Sequence, residues 1–303
     1  MRNAFVNGII GEVENRDDLY VISGDAGLGV FDDFKVRYPE RFLNLGAAEQ
    51  NMIGHAAGLA LAGFKVMVYN IIPFVLYRCF EQVRNDICYQ DLPVILAGIG
   101  SGLTYSPQGM THYSIEDIAL ARTMPNLTVI SPIDPVEARL AARYALDAKE
   151  PVYVRLAKRG EPDLHSHGDF RIEEPQELRA GERVALLCHG SITEEVLAAQ
   201  QILAERGMTP RVVSVPMLQP LCERALVERL AGIEVVFSIE EHYAEGGLGT
   251  ILAEKFSAGG WGGKLVRLGI PRRFIHEICD NAGMRRHFGI SAAAIAETVA
   301  SAY

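Results

Sequence analysis

Short runs rich in β-branched and aromatic residues alternate with stretches of helical periodicity along the chain. The pattern predicts strands at 19–23, 66–69, 94–97, 128–130 and 152–154, with helices at 49–62, 75–88, 115–122 and 135–147. The first strand ends in a Gly24-Asp25 turn. Residues 158–181 break the rhythm with Gly, Pro, His and charge, which reads as a linker. A second series follows: strands at 184–188, 211–215, 234–239 and 264–268, helices at 194–205, 223–231 and 249–256, and a closing helix at 291–303. Alternation of this kind predicts an α/β fold of two domains, each a mostly parallel sheet flanked by helices. The domains are drawn at 1–160 and 182–303, with the linker at 161–181.

With 303 residues, 49% of them apolar, the chain is long enough for about two such domains. Its net charge of −9 argues against nucleic acid or an anionic membrane as partner. A small anionic substrate held by local arginines stays compatible with it. The five cysteines are scattered and lack zinc spacing, so they read as reduced, buried thiols. The N-terminus carries no apolar signal segment, and the apolar stretch 66–77 is too short for a bilayer and broken by Asn70 and Pro73. A soluble, cytoplasmic protein is expected.

In open parallel sheets, ligands sit beyond the carboxyl ends of the strands, so the turns there carry the candidate chemistry. Glu49 opens a helix rich in Ala and Gly. Phe74, Tyr77 and Phe80 recur every third residue, giving one aromatic helix face able to stack on a flat heterocycle. His112 lies in the polar loop Gly109-Met110-Thr111-His112, where it can donate to a substrate oxygen or carry a proton. Alone, each has a plainer reading: a carboxylate stabilised by the helix dipole, ordinary core, a solvated histidine.

Taken together and in this order, the features resemble a known family. Glu49-Gln50-Asn51-Met52, the Phe74/Tyr77/Phe80 helix, Gly109-Met110-Thr111-His112 and Ser131-Pro132-Ile133-Asp134 resemble the pyrimidine-binding domain of transketolases and of 1-deoxyxylulose-5-phosphate synthase. Arg211 to Pro216, Glu240-Glu241-His242 through Gly249, and Leu268-Gly269-Ile270-Pro271-Arg272-Arg273-Phe274 are similar to that family's C-terminal domain. The resemblance implies a transferase of two-carbon ketol units that uses thiamine diphosphate. It implies that Glu49 hydrogen-bonds ring nitrogen N1′ of the aminopyrimidine and shares a proton with it. Phe74, Tyr77 and Phe80 match the aromatic wall for that ring, and His112 matches a sugar-binding histidine. Arg2 and Arg155 match phosphate-contacting arginines.

Some expected parts are missing. The family's diphosphate and metal motif finds only a partial match at Gly24-Asp25-Ala26, with Asn51 beyond it; Asp25 is kept as a cofactor contact and no metal ligand is assigned. The resemblance therefore implies a partner: an N-terminal transketolase subunit carrying the diphosphate with Mg²⁺ or Ca²⁺, in an α2β2 assembly, with self-dimerisation of this chain expected. On the substrate side, Gln108 stands where the family has an aspartate, Gly100 and Ser101 where it has a histidine and an arginine, and Gly29 where it has a serine. This points to an unusual sugar, its phosphate displaced or absent. Other readings are the β subunit of a 2-oxoacid dehydrogenase E1 component, a 1-deoxyxylulose-5-phosphate synthase-like enzyme, and a non-catalytic scaffold. His55, His189, His242 and His276 are read as structural, and Trp261 as a surface anchor.

Overall fold

The computed structural model describes residues 1–158, 160–166 and 168–302. Arg159 in the first predicted domain, His167 in the predicted linker and Tyr303 at the end of the predicted closing helix lie outside the described residues. Among the described residues no helix is long and apolar enough to cross a membrane.

Among the described residues, twelve strands form two sheets. They are β1 (Leu19–Ser23), β2 (Phe42–Asn44), β3 (Lys65–Ile71), β4 (Val94–Ile99), β5 (Thr128–Ile130), β6 (Val152–Leu156), β7 (Gln176–Arg179), β8 (Arg183–Cys188), β9 (Arg211–Ser214), β10 (Met217–Gln219), β11 (Ile233–Tyr243) and β12 (Lys264–Ile270). The seven-stranded sheet runs β10-β5-β6-β4-β3-β1-β2, and the five-stranded sheet runs β12-β11-β8-β9-β7. All neighbours are parallel except β10 with β5 and β7 with β9. The expected α/β architecture of two mostly parallel sheets is the one observed.

The central strands β3 and β4 are near-continuous apolar runs because both their faces are buried. In β3, Val66 and Val68 enter one core while Met67 and Tyr69 enter the other. In β4, Val94 and Leu96 part from Ile95 and Ala97 in the same way. The first of these cores is shared. Ala185 and Leu187 of β8 and Val213 of β9 pack into it beside Val94, Leu127 and Tyr153, so the two sheets meet across a common apolar layer.

Three short strands fall outside the predicted set. The edge strand β2 is only half-buried, β7 lies inside the stretch read as linker, and β10 crosses from the second series to pair with β5 of the first sheet. The crossing is fastened by Gln219, whose Nε2 donates to the carbonyls of Met124 and Leu127, both at 2.9 Å. Removing that donor leaves the Met124 carbonyl with only the Leu127 amide at 3.4 Å and takes the side-chain bond from the Leu127 carbonyl. Gln219→Ala is expected to cost about 1–3 kcal/mol of stability, read as a lower urea midpoint; an unchanged midpoint would show that backbone pairing alone holds the crossing.

Helices Arg2–Ile10, Asp32–Arg37 and Asn281–His287 were not foreseen. The first is weakly amphipathic, burying only Phe5, Val6 and Ile9, and it places Arg2 at its start. The predicted helix 75–88 is instead two π-helical turns, Pro73–Tyr77 and Val83–Cys88, around a short α turn, Phe80–Gln82. Of the cysteines, Cys79, Cys88 and Cys188 are buried free thiols as expected, but Cys222 is half-buried and Cys279 exposed.

Candidate active site

A cavity of about 570 Å³ opens beyond the carboxyl ends of β1, β3, β4 and β6. Its wall includes Arg2, Gly24, Asp25, Glu49, Asn70, Phe74, Tyr105 and Lys158. These come from six separate chain segments, and the parallel sheet is what gathers them.

Glu49 is the first residue of the helix Glu49–Leu61, where a carboxylate meets unpaired backbone N–H groups and the positive end of the dipole. It is 5% exposed. Its Oε2 accepts from Arg78 Nη1 at 2.7 Å. The Gly24 turn packs close beneath: a Cβ there would come within 2.9 Å of Asn70 Nδ2 and collide with Met52 Sδ, so only glycine fits. Asn70 holds this turn by donating to the Gly24 carbonyl at 3.3 Å. Asp25 sits at φ +50° and exchanges hydrogen bonds with Asn44, giving its amide to Asn44 Oδ1 at 3.0 Å and accepting from Asn44 Nδ2 at 3.1 Å.

The aromatic face divides. A π turn closes i→i+5, as in the bond from Arg78 N to Pro73 O at 3.0 Å, so residues three apart no longer stack as on an α-helix. Phe74 lines the cavity, whereas Tyr77 and Phe80 do not. The Tyr77 hydroxyl donates to Glu116 Oε2 and accepts from Glu116 N, both at 3.2 Å. Burial pushes the Tyr77 phenol well above its ordinary range and the Glu116 carboxyl upward. Phe80 packs against the shared core.

His112 stands at the cavity's edge. Its ring meets Phe74 edge-on at 5.4 Å and Tyr105 at 6.3 Å, and its Nδ1 is 2.9 Å from Thr111 Oγ1. The second half of the chain braces this loop. Leu103, Tyr113 and Ile115 pack on Ile270, Ile275 and Met284, and Tyr113 donates its hydroxyl to the Glu277 carbonyl at 2.7 Å. Gln108 is exposed on the turn Ser106–Gln108, outside the cavity wall.

Arg155 requires correction. It is 2% exposed, and its guanidinium is committed to Asp117 Oδ2 at 2.7 Å, the Ser114 carbonyl at 2.8 Å and the Glu241 carbonyl at 2.9 Å. It faces the junction of the two halves and is not part of the cavity wall. Among the described residues, the cations in the cavity wall are Arg2 and Lys158, the latter exposed and 5.4 Å from the Tyr105 ring centre. Sequence reading missed Lys158, although it lies just past a predicted strand's carboxyl end. Tyr105 was missed as well. A Cβ at Gly100 would strike the Tyr105 ring, so the aromatic side chain fills the space that a larger residue at 100 would need.

Two further histidines, His189 and His242, are built into the junction of the two halves. His189 is buried, 2.9 Å from Ser131 Oγ and 3.5 Å from Glu240 Oε2, and burial lowers its pKa. Glu240 in turn accepts from Leu248 N at 2.8 Å and Gly249 N at 2.9 Å. His242 joins the Ala119 amide to the Tyr243 carbonyl across the junction. His55 and His276 are exposed, and Trp261 stacks on Phe256 at 4.2 Å. No group of three or more His, Cys, Asp or Glu among the described residues is placed to hold a metal ion.

Residues 1–161 match the transketolase pyrimidine binding domain, and residues 174–295 match the transketolase C-terminal domain. One subunit of the apulose-4-phosphate transketolase of Actinobacillus succinogenes is 35% identical, over 99% of this chain and 97% of its own length. A putative transketolase C-terminal section of Methanocaldococcus jannaschii is 31% identical, over 99% and 95%. Among solved structures, a split gene transketolase described as an inactive β4 tetramer superposes with a TM-score of 0.87 at 31% identity, covering 99% of this chain and 96% of that one. With both halves matched and relatives of this identity aligned end to end, the chain belongs to the transketolase family.

Proposed function

We propose that this chain is the pyrimidine-holding subunit of a two-chain transketolase, moving a two-carbon ketol unit between sugars together with a diphosphate-binding partner. The observation that carries the reading is the convergence of a buried helix-start carboxylate, Glu49, and the Phe74 ring on one cavity at the strand ends. An aromatic face beside a carboxyl is what a flat, nitrogen-bearing ring requires. When bound, thiamine diphosphate supplies the carbon nucleophile and electron sink for making and breaking the ketose carbon–carbon bond. This chain's residues do the rest. Glu49 holds a proton at the ring nitrogen, Phe74 offers its face, and His112 donates to a substrate oxygen at the channel edge. Tyr77, anchored to Glu116, ties the aromatic turn to the segment that follows His112.

The partner is supported by the names of the relatives, which are one subunit of a transketolase, a C-terminal section and a split gene product. The diphosphate and its Mg²⁺ or Ca²⁺ are assigned to that partner in an α2β2 assembly. The division at 1–160 and 182–303 is supported by the two family matches. For the substrate we infer a sugar phosphate held by Arg2 and Lys158. Apulose 4-phosphate is the first donor to test, on the strength of the 35% identical relative's name. Lys158→Ala is expected to raise KM for a phosphorylated donor roughly 10- to 100-fold with little change in kcat, as for loss of a charge-assisted contact made equally in ground and transition states.

The deciding experiment is ketol transfer by the chain alone and mixed with its candidate partner, with thiamine diphosphate and Mg²⁺ present. Activity only in the mixture is expected. Turnover by the chain alone, or none in a tight complex offered both apulose 4-phosphate and xylulose 5-phosphate, would overturn the reading.

A further inference from the structure

The Arg78 guanidinium contacts both residues assigned to the cofactor's ring. Its Nη1 lies 2.7 Å from Glu49 Oε2, and its central carbon lies 4.5 Å from the centre of the Phe74 ring. A guanidinium is planar, rich in nitrogen, donates N–H bonds and stacks on aromatic faces. An aminopyrimidine ring shares those properties. Arg78 thus makes, from within the chain, the two contacts that a bound ring would make.

We propose that Arg78 is a positioning residue that keeps the pyrimidine half-site closed, its guanidinium standing in for the ring until the ring displaces it. The proposal rests on the reading that Glu49 and Phe74 hold the ring. The surroundings allow the exchange. The Arg78 side chain is 48% exposed, so it has solvent to move into, while Glu49 is 5% exposed and stays in place. The backbone under Arg78 is fixed at the end of the π turn by its amide bond to Pro73 O, and its carbonyl accepts from Gln50 Nε2 at 3.3 Å. Rotation about the side-chain bonds alone is enough to open the site. A closed state has a physical use. In the absence of the ring, the ion pair supplies the buried Glu49 carboxylate with a countercharge in an unassembled subunit.

A site that must open before it binds shows an affinity reduced by the fraction of time it is open. The test measures thiamine diphosphate binding, without turnover, by titration calorimetry on the complex with the diphosphate-binding subunit. Arg78→Met is expected to bind about 5- to 10-fold more tightly than the wild type, the scale set by one half-exposed ion pair and one cation–π contact. Arg78→Gln, which keeps a donor but neither charge nor plane, is expected to fall between them. A misfolded variant cannot produce tighter binding. Arg78→Met/Glu49→Ala, compared with Arg78→Met, separates the two readings, because Glu49→Ala alone also frees Arg78. If the double variant binds as well as Arg78→Met, the ring assignment fails and the Arg78 proposal falls with it. If it binds poorly while Arg78→Met is also weaker than the wild type, Arg78 is a contact for the bound ring and closure is wrong. If Arg78→Met matches the wild type, Arg78 obstructs nothing and closure is again wrong.

Discussion

Glu49→Gln is expected to leave the reconstituted complex assembled while lowering its ketol-transfer kcat by roughly 10²- to 10⁴-fold, the range for removing a positioned proton-transfer group. Glutamine keeps the length of the side chain and an oxygen for Arg78 Nη1, now 2.7 Å away, so the helix start and its neighbours have no reason to rearrange. What is lost is a carboxyl able to share a proton. The substitution therefore separates chemistry from architecture more cleanly than Glu49→Ala, which also removes the acceptor of Arg78 Nη1. Steady-state kinetics at saturating cofactor, with complex formation followed by size-exclusion chromatography, provide the measurement. A Glu49→Gln complex with more than a tenth of wild-type kcat would remove Glu49 from the proton path and leave the cavity without an acid. Loss of assembly would make it a structural residue instead.

The long parallel strands were legible in the sequence because burial on both faces writes itself as unbroken apolar runs, as at Val94–Ile99. β2, β7 and β10 were not, because three or four residues on a half-buried or crossing edge carry no such run. Helix Pro135–Asp147 was read to the residue, since Asp134 caps it through the Glu137 amide and proline occupies its first position. The aromatic helix was read with the wrong winding. Nothing in local composition announces a π turn, and the regular spacing of Phe74, Tyr77 and Phe80 suggested a shared face that the i→i+5 closure takes apart.

The site was legible in the same uneven way. Glu49, Phe74, His112, Arg2 and Asp25 stand in or beside one cavity; all but Arg2 follow a strand's carboxyl end, where the alternation of elements directs attention, and Arg2 reaches it from the unforeseen first helix. Lys158 and Arg78 escaped notice because neither belongs to a recognisable spacing; only the three-dimensional arrangement shows one facing the cavity and the other lying on Phe74. Arg155 was misassigned for the opposite reason. Its place in the sequence suggested a phosphate contact, but it points inward from a strand in which every residue is buried.

That inward orientation gives the largest expected effect on stability. Arg155 and Asp117 form an ion pair 2.7 Å long with side chains 2% and 0% exposed. Tyr153 adds its hydroxyl to the same Asp117 oxygen at 2.7 Å, and Arg155 Nη2 reaches the carbonyls of Ser114 and Glu241. One cluster therefore joins β6, the loop that bears His112, and β11 of the second sheet. Arg155→Ala removes the cation and leaves the Asp117 carboxylate, whose Oδ1 already has no partner, buried with only the Tyr153 hydroxyl donating to it. The expected loss is about 3–5 kcal/mol, read from chemical denaturation. Arg155→Lys should recover little of it, because an ammonium cannot serve a carboxylate and two carbonyls from one plane. Arg155→Met with Asp117→Leu should recover most of it, since a buried pair replaced as a unit by apolar side chains is often close to neutral. Ketol transfer by the same variants tests the discarded role. If Arg155→Ala were as stable as the wild type and raised only KM for a phosphorylated sugar, Arg155 would have to reach the substrate after all. If the double variant were stable but slow, the cluster's contribution would lie in aiming the His112 loop rather than in holding the two halves together.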